Sequence, residues 1–152
     1  MYAERPPEEN LEERLRRFQE ACRARGLKMT HQRWEVFREV AATAGHPTVE
    51  EIYGRLRDRL PTLSLDTVYR TLATFEELGL IARLQVLDTV GRYDGNLSRH
   101  HHLVCTRCRA IEDFVWPAFD ELEAPPTAAE WGEEAGRQVQ IWGICRGCRS
   151  RG

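Results

Sequence analysis

Four of the five cysteines form two Cys-x-x-Cys pairs, and this spacing carries the clearest chemistry in the chain. The pairs are Cys105 with Cys108 and Cys145 with Cys148. A Cys-x-x-Cys turn directs two thiolates at one point, so two such turns can complete the tetrahedral shell of Zn²⁺. Four sulfur ligands leave no open position, which predicts a structural zinc site that contributes folding free energy. Redox-active dithiols are the alternative, whereas Cys22 is interpreted as a core residue.

Three consecutive histidines suggest a second metal site. In an extended segment, His100 and His102 project from one side of the strand and His101 from the other. The strand alternation predicted for the following segment places Asp113 on an apolar face, where a carboxylate needs a compensating partner. A metal shared with His100 and His102 is one such partner. The alternative is that the histidine run is a solvated loop.

A predicted helix in the first half carries hydroxyl groups and a guanidinium on the face opposite its apolar side. The candidate DNA-binding residues are Thr67, Tyr69, Arg70, Thr71 and Thr74. Arginine reads guanine in the major groove, while side-chain hydroxyls and methyls meet phosphate and thymine. The alternative is an exposed threonine-rich face that binds nothing.

Apolar residues at helical spacing predict four helices in the first half of the chain. The predicted buried faces are Leu11, Leu15, Phe18 and Cys22; Val36, Phe37, Val40 and Ala44; Val49, Ile52, Tyr53, Leu56 and Leu60; and Leu65, Val68, Leu72 and Phe75. Thr48 with Glu51 predicts a capping box on the third helix, and Ser64 caps the fourth. A hairpin follows, formed by residues 80–87 and 92–94. This order is typical of a winged helix-turn-helix.

The second half alternates with the period of strands, which predicts a small α+β unit. The predicted elements are strands near 102–105, 110–116 and 138–144, a helix near 118–123, and a loop over 124–136. We therefore predict an α+β protein with an N-terminal winged helix-turn-helix and a small C-terminal α/β dimerisation domain containing the Cys₄ site. The predicted domains are residues 1–94 and 95–152.

Composition restricts the class of protein. The 152 residues include 22 Lys and Arg against 24 Asp and Glu, so a DNA-binding surface must be a local patch. No apolar run approaches the ~18 residues of a membrane span, and the first residues lack a signal-peptide core. We expect a cytoplasmic protein without a membrane partner. A closed Cys₄ site does not provide the open position of a zinc enzyme, so we expect no enzymatic activity.

Taken together, these motifs resemble the ferric uptake regulator family over roughly residues 26–148. The matching stretches are Met29-Thr30-His31-Gln32-Arg33, His46-Pro47-Thr48, Glu51-Ile52-Tyr53, Asp66-Thr67-Val68-Tyr69-Arg70-Thr71-Leu72, Arg92-Tyr93-Asp94, His100-His101-His102-Leu103-Val104-Cys105 with Cys108, and Gly143-Ile144-Cys145 with Cys148.

The resemblance implies a homodimeric repressor of double-stranded operator DNA, whose regulatory metal bridges the two domains. The implied ligands are His46, Asp94, His100, His102 and Asp113. Aspartate at both carboxylate positions is similar to the peroxide-sensing branch of the family. A three-histidine, two-aspartate set suits Fe²⁺ or Mn²⁺, and also Zn²⁺. With Fe²⁺, the resemblance implies that peroxide oxidises His46 or His100.

The chain departs from the family at the start of its last strand. Many members have a histidine there for a further metal, whereas this sequence has Gly136 and Arg137, so we expect no third metal site. Three alternatives to a peroxide sensor remain open: an iron- or zinc-responsive uptake regulator of the same fold, a zinc hydrolase, and an adaptor that binds protein partners through its zinc unit. The adaptor would leave the Thr67 and Arg70 face unexplained.

Overall fold

The computed structural model describes residues 10–43, 45–87 and 90–152. The chain divides into two compact units, one within residues 10–97 and one over residues 98–152. The division falls three residues after the predicted boundary, and the roles of the units in DNA binding and dimerisation stay predictions. Among the described residues, no helix is both long enough and apolar enough to cross a membrane.

Four helices build most of the N-terminal unit. They are α1 (Leu11–Ala24), α2 (His31–Ala42), α3 (Val49–Leu56) and α4 (Leu65–Glu77). Each begins at a side chain that accepts a backbone N–H of the first turn, namely Asn10, Thr30, Thr48 and Ser64. The capping box predicted for Thr48 and Glu51 is confirmed, because both of its hydrogen bonds are present. Gly79, with φ +68°, follows α4 in the left-handed conformation that commonly ends a helix.

Three phenylalanines join α1, α2 and α4 into one core. Phe18 stacks on Phe37 with ring centroids 3.6 Å apart, and Phe75 meets Phe18 edge-on at 5.0 Å. Cys22 is buried beside them, and burial raises the pKa of its thiol, which agrees with its interpretation as a core residue. The predicted burial of Leu65 is wrong, because this first residue of α4 is 37% exposed and precedes the packed turn. Ala44 lies outside the described residues.

A short hairpin completes the N-terminal unit. Strand β1 (Ala82–Leu84) pairs antiparallel with β2 (Arg92–Asp94), in the register Arg83 opposite Tyr93. The first strand is shorter than predicted, and residues 88 and 89 of the predicted turn lie outside the described part of the chain. Helices followed by this wing confirm the winged helix-turn-helix prediction.

The C-terminal unit is built on a three-stranded sheet. Its elements are β3 (His101–Cys105), β4 (Ile111–Phe114), α5 (Pro117–Asp120), α6 (Pro126–Trp131), β5 (Gln140–Gly143) and α7 (Arg146–Ser150). The strand order is β4-β3-β5, with β4 antiparallel and β5 parallel to β3. The three predicted strands and the first helix are present, and the predicted α+β class is confirmed. Strand β3 begins one residue earlier than predicted, whereas β4, β5 and α5 are shorter than predicted.

Two short helices differ from the sequence expectation. The predicted loop over residues 124–136 is wrong, since α6 lies within it and begins at Pro126. Proline suits the first turn of a helix, where its missing N–H would have no helical partner. Helix α7 was not predicted, because its start depends on the sulfur of Cys145, which accepts the Cys148 N–H. Neither signal is visible in apolar periodicity.

Candidate metal centres and nucleic-acid interface

The four paired cysteines converge in the C-terminal unit. Cys105 ends β3, Cys108 lies in the turn after it, and Cys145 and Cys148 belong to the start of α7. Their sulfur atoms lie within 4.8 Å of one another. The Cys108 and Cys145 sulfurs are 3.8 Å apart, much longer than the roughly 2 Å of a disulfide, and all five thiols of the chain are free.

Backbone N–H groups orient these sulfurs. The Cys145 N–H donates to the Cys105 sulfur at 3.3 Å, and the Cys148 N–H donates to the Cys145 sulfur at 3.4 Å. The turn that contains Cys108 is closed by a hydrogen bond from the Cys105 N–H to the Ala110 carbonyl. Within this turn Arg109 adopts a left-handed conformation, with φ +64°. Such donors stabilise thiolate, which is the form that binds a metal.

The thiol pKa values show how strongly the sulfurs interact. The N–H of Cys145 is the main cause that lowers the pKa of Cys105 to about 6, whereas a hydrogen bond with Cys145 is the main cause that raises the pKa of Cys148 to about 11. Neighbouring thiolates repel one another, so the four thiols do not all ionise readily without a cation. A divalent cation at the centre of the cluster stabilises all four thiolates. The cluster therefore fits a structural zinc site.

A second cluster, His100, His102 and Asp113, lies on one side of the same sheet. In the β3–β4 register His102 is opposite Asp113. The Nε2 atoms of His100 and His102 are 3.1 Å apart, and the Asp113 Oδ1 lies 3.3 Å from His102 Nε2 and 3.7 Å from His100 Nε2. The structure thus brings these three predicted ligands together within one unit.

Hydrogen bonding fixes the tautomer of His100. Its Nδ1 lies 2.6 Å from the Ser98 carbonyl oxygen, which only accepts, so Nδ1 carries the proton. The lone pair of a neutral ring is then on Nε2, the atom that faces His102 and Asp113. Two imidazole nitrogens and a carboxylate oxygen form a donor set suited to Fe²⁺, Mn²⁺ or Zn²⁺.

His101 faces the opposite side of β3, as the alternation predicts. Its Nδ1 accepts the Val139 N–H at 3.0 Å, and its Nε2 donates to Asp120 at 2.9 Å. The ring is fully buried and lies next to Phe114 and Phe119. His101 therefore connects β3 to the residue before β5 and to α5, and it fixes the orientation of the strand that carries His100 and His102.

The N-terminal unit holds its own pair of candidate ligands. His46 Nε2 lies 3.2 Å from Asp94 Oδ2, and the other oxygen of Asp94 accepts the Asn96 N–H at 2.8 Å. His46 has φ +55°, a left-handed conformation that costs an L-residue roughly 1–2 kcal/mol. Backbone strain of this kind concentrates at functional sites, where the surrounding structure holds it.

The conformation of His46 is held by β2. The Arg92 guanidinium donates to the carbonyls of His46 and Gly45, the latter at 2.6 Å, and the Tyr93 N–H donates to the Pro47 carbonyl at 3.0 Å. These contacts explain how residues 40 or more apart in sequence are brought together. No spacing rule in the sequence indicates them.

The predicted DNA-binding face lies on α4 beside the start of α2. A groove of about 330 Å³ is lined by Thr30, Gln32, Arg33, Thr67, Arg70, Thr71 and Thr74. The predicted outward position of Thr71 is wrong, because it is only 7% exposed. It follows Val68 by three residues and precedes Phe75 by four, so it shares their inward side. Thr71 forms part of the floor of the groove.

Two carboxylates that the sequence interpretation missed also lie on this surface. Asp66 forms an ion pair with Arg70, with Oδ2 and Nη2 3.0 Å apart, and Glu50 of α3 accepts a hydrogen bond from the Tyr69 hydroxyl at 2.9 Å. The bond to Glu50 is the main cause that raises the pKa of Tyr69. The i, i+4 spacing of Asp66 and Arg70 could have indicated the first pair. Nothing in the sequence indicates the second.

A winged helix-turn-helix unit combined with candidate metal centres defines a class of metal-responsive regulators. The model of the Ferric uptake regulator family matches residues 24–134, and the chain belongs to this family. Its members are transcriptional regulators, in agreement with the resemblance noted in the sequence.

Relatives with different regulatory functions match the chain. The peroxide-responsive repressor PerR of Staphylococcus epidermidis is 30% identical over 95% of this chain and 96% of its own length. The solved structure of the Helicobacter pylori ferric uptake regulator Fur, described as having three functional metal-binding sites, matches at 25% identity with a TM-score of 0.74, covering 98% of this chain and 97% of that one. A zinc-bound manganese uptake regulator matches at 29% identity with a TM-score of 0.66, covering 84% and 98%.

Proposed function

We propose that this protein is a metal-dependent, peroxide-sensing transcriptional repressor that binds operator DNA as a homodimer in the cytoplasm and releases it on metal-catalysed oxidation. The observation that carries this proposal is the convergence of His100, His102 and Asp113. The ligand atoms of this cluster differ from those of the all-sulfur site, because they are nitrogen and oxygen, which suit a redox-active metal.

The Cys105, Cys108, Cys145 and Cys148 cluster is proposed to hold one structural Zn²⁺. The site connects the end of β3 and its following turn to α7. Because all four ligands are sulfur, no coordination position is left for a substrate. Zinc in this role stabilises the unit and does not take part in regulation.

The regulatory metal, Fe²⁺ or Mn²⁺, is proposed to bind both histidine-aspartate groups. His100, His102 and Asp113 come from the C-terminal unit, and His46 and Asp94 come from the N-terminal unit. A metal held by both groups would stabilise only those conformers in which the units meet. Its occupancy is then linked to DNA affinity, and this linkage is reciprocal.

Peroxide sensing is proposed from the ligand types and from the PerR relative. Fe²⁺ at this site would supply one-electron redox chemistry that activates peroxide beside the imidazole rings. The net reaction converts an imidazole of His46 or His100 and one H₂O₂ into an oxo-imidazole and one H₂O, so the ring is the two-electron reductant and the iron is not consumed. The oxidised ring loses its ability to bind the metal as before, so the DNA-competent conformers lose their stabilisation.

Operator binding is proposed for the α4 face, through Thr67, Tyr69, Arg70 and Thr74, while the buried Thr71 is not among the proposed contacts. A second copy of the chain is proposed at β5, which is one of the two outer strands of the sheet. Ile141, Trp142 and Ile144, in and just after this strand, are exposed apolar residues. An apolar edge strand is suited to pairing with another strand.

The deciding experiment measures operator binding with Fe²⁺ or Mn²⁺ loaded, before and after peroxide. We expect both metals to support binding and only the iron form to release DNA after treatment. Retained binding by the iron form would instead assign the chain to iron- or zinc-responsive uptake regulation. Binding that responds to none of these metals would contradict metal-dependent repression.

A further inference from the structure

Two negatively charged side chains lie within the surface proposed to bind DNA. Asp66 Oδ2 lies 3.0 Å from Arg70 Nη2, and Glu50 Oε1 accepts from the Tyr69 hydroxyl at 2.9 Å. DNA presents a dense row of phosphate charges, so its binding surfaces are ordinarily basic. Both carboxylates contact a side chain proposed to read bases, which calls for a functional explanation.

Stability alone does not account for the Asp66–Arg70 pair. Both side chains are 75% exposed, and an ion pair in that environment contributes little to folding because solvent screens it. A carboxylate in the first turn of α4 interacts favourably with the helix dipole. That interaction does not require Asp66 to contact Arg70. The pair does affect which group of the DNA Arg70 can bind, a phosphate or a base.

The arginines of the groove are both engaged within the protein. Arg33 donates to the Lys28 carbonyl at 2.6 Å, and Arg70 pairs with Asp66. A phosphate that takes Arg70 from Asp66 brings a second negative charge close to that carboxylate. A guanine edge offers two neutral acceptors in the geometry of the guanidinium and adds no charge. Asp66 therefore penalises contact with phosphate more than contact with guanine.

Tyr69 is oriented in a comparable way. Its hydroxyl hydrogen is donated to Glu50, on the neighbouring helix α3, while 43% of the side chain remains exposed. With its donor occupied, the hydroxyl is a poor partner for phosphate, and the ring presents an apolar face. That face is suited to the methyl group of thymine.

We propose that Asp66 and Glu50 are specificity-determining residues, which hold Arg70 and Tyr69 in base-reading orientations and weaken binding to DNA of any other sequence. This inference rests on the proposed DNA-binding function. It assigns to two acidic residues a role in sequence discrimination that they exert through Arg70 and Tyr69 and not through contacts of their own with DNA.

The experiment compares two duplexes with the Zn²⁺- and Mn²⁺-loaded protein. One duplex is selected from a random pool by the wild-type protein, and the other is its scrambled sequence. Asp66→Asn should raise affinity for the scrambled duplex roughly three- to tenfold, and steepen its salt dependence by about one counterion, because Arg70 becomes available to phosphate. Affinity for the selected duplex should change less, so discrimination falls.

The matched control is Glu77→Gln, which removes one exposed negative charge from the end of the same helix. We expect it to leave the ratio of the two affinities unchanged. In an Arg70→Ala background, Asp66→Asn should also lose its effect. If it raises scrambled-duplex affinity equally with and without Arg70, the pair is not the cause and the inference for Asp66 is wrong.

The Glu50 contact is tested by a second cycle. Glu50→Ala and Tyr69→Phe should each lower discrimination, and the double variant should lose no more than either one. Glu50→Gln keeps an acceptor for the hydroxyl and should therefore retain most of the discrimination that Glu50→Ala loses. Thermal unfolding of each variant checks that α3 remains folded. If the losses of discrimination in Glu50→Ala and Tyr69→Phe add up in the double variant, the Glu50–Tyr69 contact is not their cause. A wild-type protein that does not distinguish the duplexes would overturn both DNA recognition and this inference, whereas unchanged ratios in the variants would overturn the inference alone.

Discussion

At the scale of single residues, the molecule separates two metal chemistries by ligand type and by immediate neighbours. Sulfurs in the Cys₄ cluster accept hydrogen bonds from backbone N–H groups. His100 instead donates its Nδ1–H to the Ser98 carbonyl, which leaves the Nε2 lone pair facing His102 and Asp113. The first arrangement suits redox-inert zinc, and the second suits a metal that exchanges or reacts. Both clusters share β3, which places Cys105 at one end of the strand and His102 near the other.

Arg70 tests the recognition surface at this scale. Arg70→Ala should cost roughly 1–3 kcal/mol of operator binding if the guanidinium contacts a guanine in bidentate geometry. Zinc content and regulatory-metal content should stay at the wild-type level, because Arg70 belongs to neither cluster. Fluorescence anisotropy with operator DNA measures the loss. Equal affinity of variant and parent would show that a different face reads the DNA.

At the scale of elements, caps decide where the functional helices begin. Ser64 accepts the Thr67 N–H at 3.1 Å and so fixes the first turn of the helix that carries Arg70. Ser64→Ala should lower the free energy of unfolding by about 1 kcal/mol, while Ser64→Gly should cost only a few tenths. Urea denaturation followed by circular dichroism distinguishes them. Equal losses would mean that the hydroxyl does not stabilise the helix.

The zinc cluster acts at the same scale, since it joins β3 to α7 across a long stretch of sequence. Cys145→Ser removes a ligand and also the sulfur that caps α7. We expect loss of zinc, measured by elemental analysis, together with loss of the dimer, measured by sedimentation. Cys22→Ser, at a cysteine outside the cluster, should retain zinc. A zinc-free Cys145→Ser protein that dimerises and melts cooperatively would contradict the structural role.

Elements with a strong local signal were predictable, and those that depend on tertiary contacts were not. The buried positions Val68, Leu72 and Phe75 of α4, its Ser64 cap and the Thr48–Glu51 box follow from spacing alone. The prediction for Thr71 followed its polar side chain, although its spacing from Val68 and Phe75 places it on the buried side of α4. Helix α6 was missed because it has only six residues and none of them is buried, so it shows no apolar period. The Glu50–Tyr69 contact joins two helices, so no local pattern records it.

At the scale of the whole molecule, the central question is which residues peroxide modifies. Zinc is redox-inert, and metal-bound thiolates should be less exposed to oxidation than free thiols of low pKa. Iron at the proposed regulatory site lies instead among imidazole ligands. We therefore expect one added oxygen on His46 or His100, with zinc retained and DNA released. Peptide mass mapping after peroxide treatment identifies the modified residue.

Manganese provides the matched control for this prediction, because it suits the same nitrogen and oxygen donors but is less easily oxidised. The Mn²⁺ form should bind operator DNA and keep unmodified histidines after the same treatment. His101 provides an internal control within the iron form, since its ring is buried on the opposite side of β3 and should not gain oxygen. Oxidised cysteines with zinc loss and intact histidines would refute the histidine route. The zinc cluster would then be the site at which peroxide acts.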